Sequence, residues 1–349
     1  MNRTPNFRSD RLIAAATLLL LASSMATAQD WPALPAVAPA PADNPVTAAG
    51  IELGKMLFFD PRMSSTGTVS CNSCHNIMEG GDDSRPTSVG VNGQLGGRNA
   101  PTVWNAAFLS AQFWDGRAAS LEEQAKGPPG NPIEMGMKSA GDAAARIARI
   151  PGYRPYFERA FGANAEINED TVAKAIATFE RSLITPGSAY DRFAAGEQQA
   201  LTEQQQRGLK TFAETGCTAC HSGANFAGPD LPTGTGFFQK FPTIADSPYV
   251  ARYDLAADRG RAEVTGDAAD AHRWRVPSLR NIEHTAPYFH NGSVTSLDEA
   301  VRVMASTQLN RELTDAAVAD IVAFLQSLSG PFPEIAMPRL PNAPGDLVQ

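Results

Sequence analysis

Two pentapeptides constrain this chain more than any other feature of its 349 residues: Cys71-Asn72-Ser73-Cys74-His75 and Cys217-Thr218-Ala219-Cys220-His221. Between them they hold all four cysteines. A disulfide framework does not call for two tight pairs, each followed at once by histidine. A thioredoxin-type C-x-x-C would not need the histidine, and a structural zinc site would not use all four thiols in two matching pentapeptides. Covalent haem attachment does require this arrangement. Two thiols add to the vinyl groups on one edge of a haem, two intervening residues set the sulfur separation, and the adjacent histidine reaches the iron. The expectation is two c-type haems, one on Cys71 and Cys74 with His75 as proximal ligand, the other on Cys217 and Cys220 with His221.

Such attachment normally takes place outside the cytoplasm, and the first residues agree with export. Arg3, Arg8 and Arg11 make a basic start, Leu12 to Ala22 is a short apolar run, and Ala26-Thr27-Ala28 is a small-residue cleavage site. Residues 1–28 therefore read as a signal peptide cleaved after Ala28, which places the mature protein in the periplasm. The apolar run is short for a membrane span. The formal net charge of the whole chain is −8, and removing a leader with three arginines and one aspartate leaves −10. A chain this acidic has no electrostatic footprint for nucleic acid, but could attract a small basic protein.

The two attachment sites share a local context, which predicts one module used twice. Gly54 and Phe58 precede the first pentapeptide, and Gly208 and Phe212 precede the second at the same spacing. The second of these helices starts in a capping box of Thr202 and Gln205. Each module closes on an amphipathic stripe: Val172, Ile176, Phe179 and Leu183 in the first; Val318, Ile321, Val322, Leu325 and Leu328, starting near Thr314, in the second. The predicted fold is all-α, with two cytochrome c-like domains over residues 35–186 and 200–330, each carrying one haem. The stretch from Pro186 to Ala200, rich in small and polar residues, marks the boundary. Residues 331–349 form a proline-rich tail, either loose or laid as a strap across the other domain. The insert between Gly80 and Pro151 is long for a loop and carries Trp104, Trp114, Gln124 and Glu134, which favours a functional role.

Several motifs extend the reading. They are Leu57-Phe58-Phe59-Asp60-Pro61-Arg62, Arg98-Asn99-Ala100-Pro101-Thr102, Gln112-Phe113-Trp114-Asp115-Gly116-Arg117 and Leu121-Glu122-Glu123-Gln124-Ala125 in the first half. The second half adds Val276-Pro277-Ser278-Leu279-Arg280-Asn281 and Thr285-Ala286-Pro287-Tyr288-Phe289-His290. With the two pentapeptides, this set resembles the bacterial di-haem cytochrome c peroxidases from about Pro45 to Gly330. The resemblance implies a peroxidase that reduces hydrogen peroxide with electrons from a small cytochrome c or cupredoxin, in a chain that is commonly a homodimer. It implies a high-potential C-terminal haem ligated by His221 and Met304, and an N-terminal haem where peroxide reacts. It gives Glu134 the acid–base role and Gln124 the role of orienting peroxide, and it sets Trp114 between the haems, where a packed core aromatic would also fit. It implies a calcium ion between the domains, held by the Asn99 side chain and by main-chain carbonyls of Thr285 and Pro287.

The chain departs from the family at one position. Val91 stands where relatives often carry a histidine that blocks the N-terminal iron until the other haem is reduced. The expectation is an open site in the fully oxidised protein, with Met78 or His290 as the alternative ligands. His272 and His284 are expected at the surface, and His290 has no assigned role. Two other functions compete. A related enzyme that matures a tryptophan-derived quinone in methylamine dehydrogenase oxidises a protein, but has tyrosine where Met304 stands. A plain electron carrier would have both irons saturated, which Val91, Gln124 and Glu134 oppose.

Overall fold

The computed structural model describes residue 1, residues 31–343, and residues 345 and 347. The expected leader and its cleavage site lie outside the described residues. The main helices, in chain order, are α1 (Ala48–Phe58), α2 (Leu121–Gly130), α3 (Ala140–Ala148), α4 (Arg154–Phe161), α5 (Glu169–Glu180), α6 (Ala189–Ala194), α7 (Glu203–Thr215), α8 (Leu297–Leu309) and α9 (Asp315–Gln326). The architecture is helical, as expected, with one correction. Strands β1 (Phe238–Lys240) and β2 (Arg273–Arg275) pair antiparallel, with Gln239 opposite Trp274. The long connection between α7 and α8 satisfies part of its backbone this way, and the pairing turns Trp274 and Arg275 inward.

The sequence repeat is a structural repeat. In the N-terminal half α1 crosses α5; in the C-terminal half α7 crosses α9. The crossings are close because glycine sits at each. A Cβ on Gly54 would fall 1.9 Å from the Ala175 carbonyl oxygen, and one on Gly208 would fall 1.9 Å from that of Asp320. The phenylalanines four residues on then meet their partners edge-on or tilted, Phe58 with Phe179 at 5.3 Å and Phe212 with Phe324 at 5.2 Å. The Thr202–Gln205 capping box forms reciprocally, at 3.2 and 2.9 Å, and Thr314 caps α9. Each half gathers its own core: Leu53, Phe58, Ile176 and Phe179 belong to one, Phe212, Ile321, Phe324 and Leu328 to the other.

The halves are stitched together at both ends. The stretch read as a boundary linker instead contains α6, whose Tyr190 and Asp191 are buried. Asp191 pairs with the fully buried Arg280 at 2.8 Å, and the Tyr190 hydroxyl donates to the Trp31 carbonyl at 2.6 Å. Small residues here permit close packing rather than mobility. Upstream of α1, Trp31 packs into the C-terminal core. The tail runs the opposite way. Phe332 lies against Trp104 at 4.9 Å, Ile335 and Leu340 pack on the N-terminal core, and Arg62 donates to the Pro341 carbonyl at 2.7 Å. Of the two readings of the tail, the strap is the one this structure adopts. Among the described residues no helix is long and apolar enough to cross a membrane.

Candidate active site

Cys71–Cys74 forms a single helical turn, which Ser70 and Ser73 cap reciprocally and His75 ends. One turn of helix brings the two thiols to the same side and points the following histidine at what they hold. All four cysteines are free and half-buried. Burial raises every thiol, Cys74 to about 11 and Cys217 to about 12.

The two histidines are held alike. His75 Nδ1 lies 3.0 Å from the Pro101 carbonyl oxygen, and His221 Nδ1 lies 3.0 Å from that of Phe226. A carbonyl only accepts, so Nδ1 carries the proton and Nε2 keeps its lone pair, the tautomer an iron ligand needs. Burial lowers both imidazole pKa values, which favours the same neutral form. The Arg98-to-Thr102 motif thus supplies the carbonyl that orients His75.

In front of His221 lies a cavity of about 230 Å³. Cys217, Cys220, His221 and Met304 all line it, among apolar residues such as Phe212, Val301 and Leu325. Two thiols, an imidazole nitrogen and a thioether sulfur in an apolar chamber fit a covalently held haem with His and Met ligands. The cavity continues to Asn99–Thr102 and Trp104 of the N-terminal half, and Trp114 forms part of its wall. Trp114 Nε1 donates to the Asn99 carbonyl at 2.9 Å, which fixes the indole to the segment that orients His75. Trp104 Nε1, buried here, has no protein partner.

His75 itself offers one free ring nitrogen, Nε2. Glu134 follows α2 on a loop; Asn131 Nδ2 donates to its Oε1 at 2.9 Å. Burial raises the Glu134 carboxyl, and the charge of Arg117 and the Asn131 bond only partly offset this. The charge of Glu134 is one of the smaller causes that raise Cys74, after burial and Asp83. Gln124, on α2, is half-buried, and among the described residues no hydrogen bond joins its amide to Glu134 or to any other side chain. Val91 is buried in the wall behind Glu134, its N–H donating to the Glu134 carbonyl at 3.0 Å. Of the alternative ligands, Met78 is 69% exposed and His290 lines the cavity of the other half.

Asn99, Thr285 and Pro287 line one stretch of that cavity. Asn99 Nδ2 donates to the Arg85 carbonyl at 2.8 Å, which turns Oδ1 away from Arg85. The carbonyls of Thr285 and Pro287 accept no hydrogen bond. His284 is exposed, as expected. His272 is not: it is half-buried, with Nδ1 3.0 Å from the Asp258 carbonyl, because β2 draws the chain against that loop. Sequence reasoning gave His290 no role beyond that of an alternative ligand and did not single out Arg275; both are buried and both line the cavity. The only signal for either was its place inside or beside a motif.

Paired thiols, neutral anchored imidazoles and a chamber with a thioether sulfur define a c-type cytochrome architecture arranged for redox catalysis. Residues 48–199 match the family model described as di-haem cytochrome c peroxidase. The chain is 43% identical over 329 residues to a cytochrome c551 peroxidase of Nitrosomonas europaea, covering 94% of each chain. It is 44% identical over 300 residues to the cytochrome c551 peroxidase of Pseudomonas aeruginosa, covering 85% of this chain and 84% of that one. Among solved structures it resembles a MauG-like protein associated with microbial copper homeostasis, with a TM-score of 0.72 and 30% identity over 85% of this chain and 95% of that one. The chain belongs to the di-haem cytochrome c peroxidase family. It is accordingly an oxidoreductase that acts on peroxide, and the family implies two c-type haems.

Proposed function

We propose that this is a periplasmic peroxidase, exported by a leader cleaved after Ala28, that reduces hydrogen peroxide to water with electrons from a small cytochrome c or cupredoxin. Electrons enter on the His221 and Met304 side and reach the His75 side past Trp114. A haem on Cys71 and Cys74 supplies the redox chemistry by which the peroxide O–O bond is reduced; the remaining work belongs to this chain's side chains. Glu134 takes the proton from one peroxide oxygen and returns it to the other, so that the departing oxygen leaves as water. Its half-buried carboxyl suits both directions of transfer, since a raised pKa narrows the gap between acid and base forms near neutral pH. Gln124 orients the peroxide with an amide that, among the described residues, no other side chain engages. Val91 offers no ligand, so the site opposite His75 stays open in the oxidised protein. Asn99, Thr285 and Pro287 hold one calcium ion across the junction, and the chain works as a homodimer.

The observation that carries this reading is the single cavity that Cys217, Cys220, His221 and Met304 line and that reaches Pro101, the residue whose carbonyl orients His75. Met304 in the His221 cavity favours it over oxidation of a protein substrate, for which the related enzyme has tyrosine there. The test is the initial rate at which the oxidised, calcium-loaded protein oxidises a reduced small cytochrome c when peroxide is added without pre-reduction. Full rate from the first turnover, with a high-spin signal from one of two irons, is expected. No turnover, or two low-spin irons, would move the assignment to protein oxidation or simple electron carriage.

A further inference from the structure

Asp82 is 1% exposed, and both oxygens of its carboxylate are buried without a hydrogen-bond partner. Among the described residues no other carboxylate leaves both oxygens in this state. Burial pushes the carboxyl up to about 6; the backbone N–H groups of Asp82 and Ser84 offset this only in part. The charged neighbours that act on it, Asp83 and Glu79, are themselves anionic. A buried carboxylate that faces no cation is costly unless it binds one or takes up a proton.

Its place in the fold points to one cation. Asp82 lies on the segment from Gly80 to Pro86, which is wedged between the stretch that carries Asn99 and the stretch that carries Thr285 and Pro287. On one side, the Gly80 carbonyl accepts from Thr102 Oγ1 at 2.6 Å, and the Arg85 carbonyl accepts from Asn99 Nδ2 at 2.8 Å. On the other side, a Cβ on Gly80 would fall 2.0 Å from the His284 carbonyl oxygen, and one on Gly292 would fall 2.4 Å from Pro86 Cα. The same Cβ on Gly80 would fall 2.7 Å from Asp82 Oδ1. The carboxylate therefore sits beside His284, the residue before Thr285, where the two halves meet. The proposed calcium ligands are all neutral: one amide oxygen and two main-chain carbonyls. A divalent cation held by these alone would bring its full charge into a junction where Asn99 and Pro287 are buried.

We propose that Asp82 is the anionic partner of the calcium ion at this junction and supplies the negative charge that Asn99, Thr285 and Pro287 lack. Calcium affinity is tuned by the number of charged oxygens around a site. Asp82 and Asn99 come from the N-terminal half, Thr285 and Pro287 from the C-terminal half, so the cation ties the halves together. The same carboxylate has opposite effects in the two states of the protein. Without calcium it is an uncompensated buried charge that destabilises the fold; with calcium it is one member of an ion pair.

This inference rests on the calcium reading, so calcium binding by the chelator-stripped holoprotein is measured first, by titration calorimetry. No binding by the wild type would reject that reading itself. With binding present, wild type and Asp82→Asn are compared for calcium affinity and for thermal midpoint with and without calcium. Asp82→Asn is expected to weaken calcium binding by about tenfold or more. It should also cross the midpoints, raising the midpoint of the calcium-free protein and lowering it in saturating calcium. A residue that only packs would move both midpoints the same way. If Asp82→Asn fails to fold, the calcium-induced infrared difference spectrum of the wild type decides. A shifted carboxylate stretch is expected there, since the other three ligands carry no carboxylate. Unchanged affinity in a folded Asp82→Asn, midpoints that move together, or a wild-type difference spectrum without a carboxylate band overturns the inference.

Discussion

At the residue scale, the half-buried Glu134 and the buried Glu180 both have raised carboxyls and do different things. Glu134 belongs to the site, and its replacement by Gln removes the proton shuttle while keeping the Asn131 contact. The expected result is a loss of about 10²- to 10⁴-fold in peroxide turnover with both haems retained, measured by stopped-flow mixing. A loss under tenfold would assign proton transfer elsewhere. Glu180 belongs to the N-terminal core beside Cys71; burial pushes its carboxyl from 4.5 up to about 8. Between those values the folded chain keeps a proton that the unfolded chain has lost. Stability should fall as pH rises through this window, by up to about 1.4 kcal/mol per unit, and level off above it. Glu180→Gln should flatten the curve in denaturant titrations at stepped pH; parallel curves for both proteins would show that Glu180 is already ionised when folded. The sequence made Glu134 legible only through family resemblance, and Glu180 not at all, because a glutamate at a helix end reads as surface until the fold covers it.

At the scale of elements, the chain builds one helix crossing twice. Gly54 and Gly208 are buried where α1 meets α5 and α7 meets α9, and the neighbouring helix backbone occupies the place of a Cβ. Gly208→Ala should therefore force the helices apart and cost about 1–3 kcal/mol or more, seen as a lower thermal midpoint. Gly54→Ala should do the same in the other half. Glycine to alanine in an exposed helix normally stabilises, so an unchanged or raised midpoint would refute the crossing. The repeat could be read from spacing because both helices use a local 3.6-residue period. The β1–β2 pair could not: each strand has only three residues and gains its stability from what it turns inward, not from its own pattern. Helix α6 was not legible for a similar reason, since in the stretch from Pro186 to Ala200 Asp191 finds its partner Arg280 only in the fold.

At the scale of the molecule, each end of the described chain braces the opposite half. Trp31 is in the C-terminal core, while Phe332, Leu340 and Leu347 lie on the N-terminal one. Truncation after Gly330 removes the Phe332–Trp104 contact, the buried Leu347 and the Arg62–Pro341 bond. By burial alone this should cost about 3 kcal/mol or more. Hydrogen exchange should speed up in α1, α4 and α5 and stay unchanged in α7 and α9. Equal acceleration in both halves would mean that the strap supports the whole chain cooperatively instead.

The sequence by itself determined the chemistry that depends on neighbours along the chain. Two thiols and a histidine within five residues bind a haem wherever they are placed, and helical stripes with a glycine at fixed spacing specify a crossing. Tertiary structure alone decided what depends on residues far apart in sequence. It set the Pro101 carbonyl against His75, brought Met304 to the cavity that Cys217, Cys220 and His221 line, and closed both ends of the described chain over opposite cores. Burial and charge pairing arise only when distant segments meet, so no local pattern encodes them.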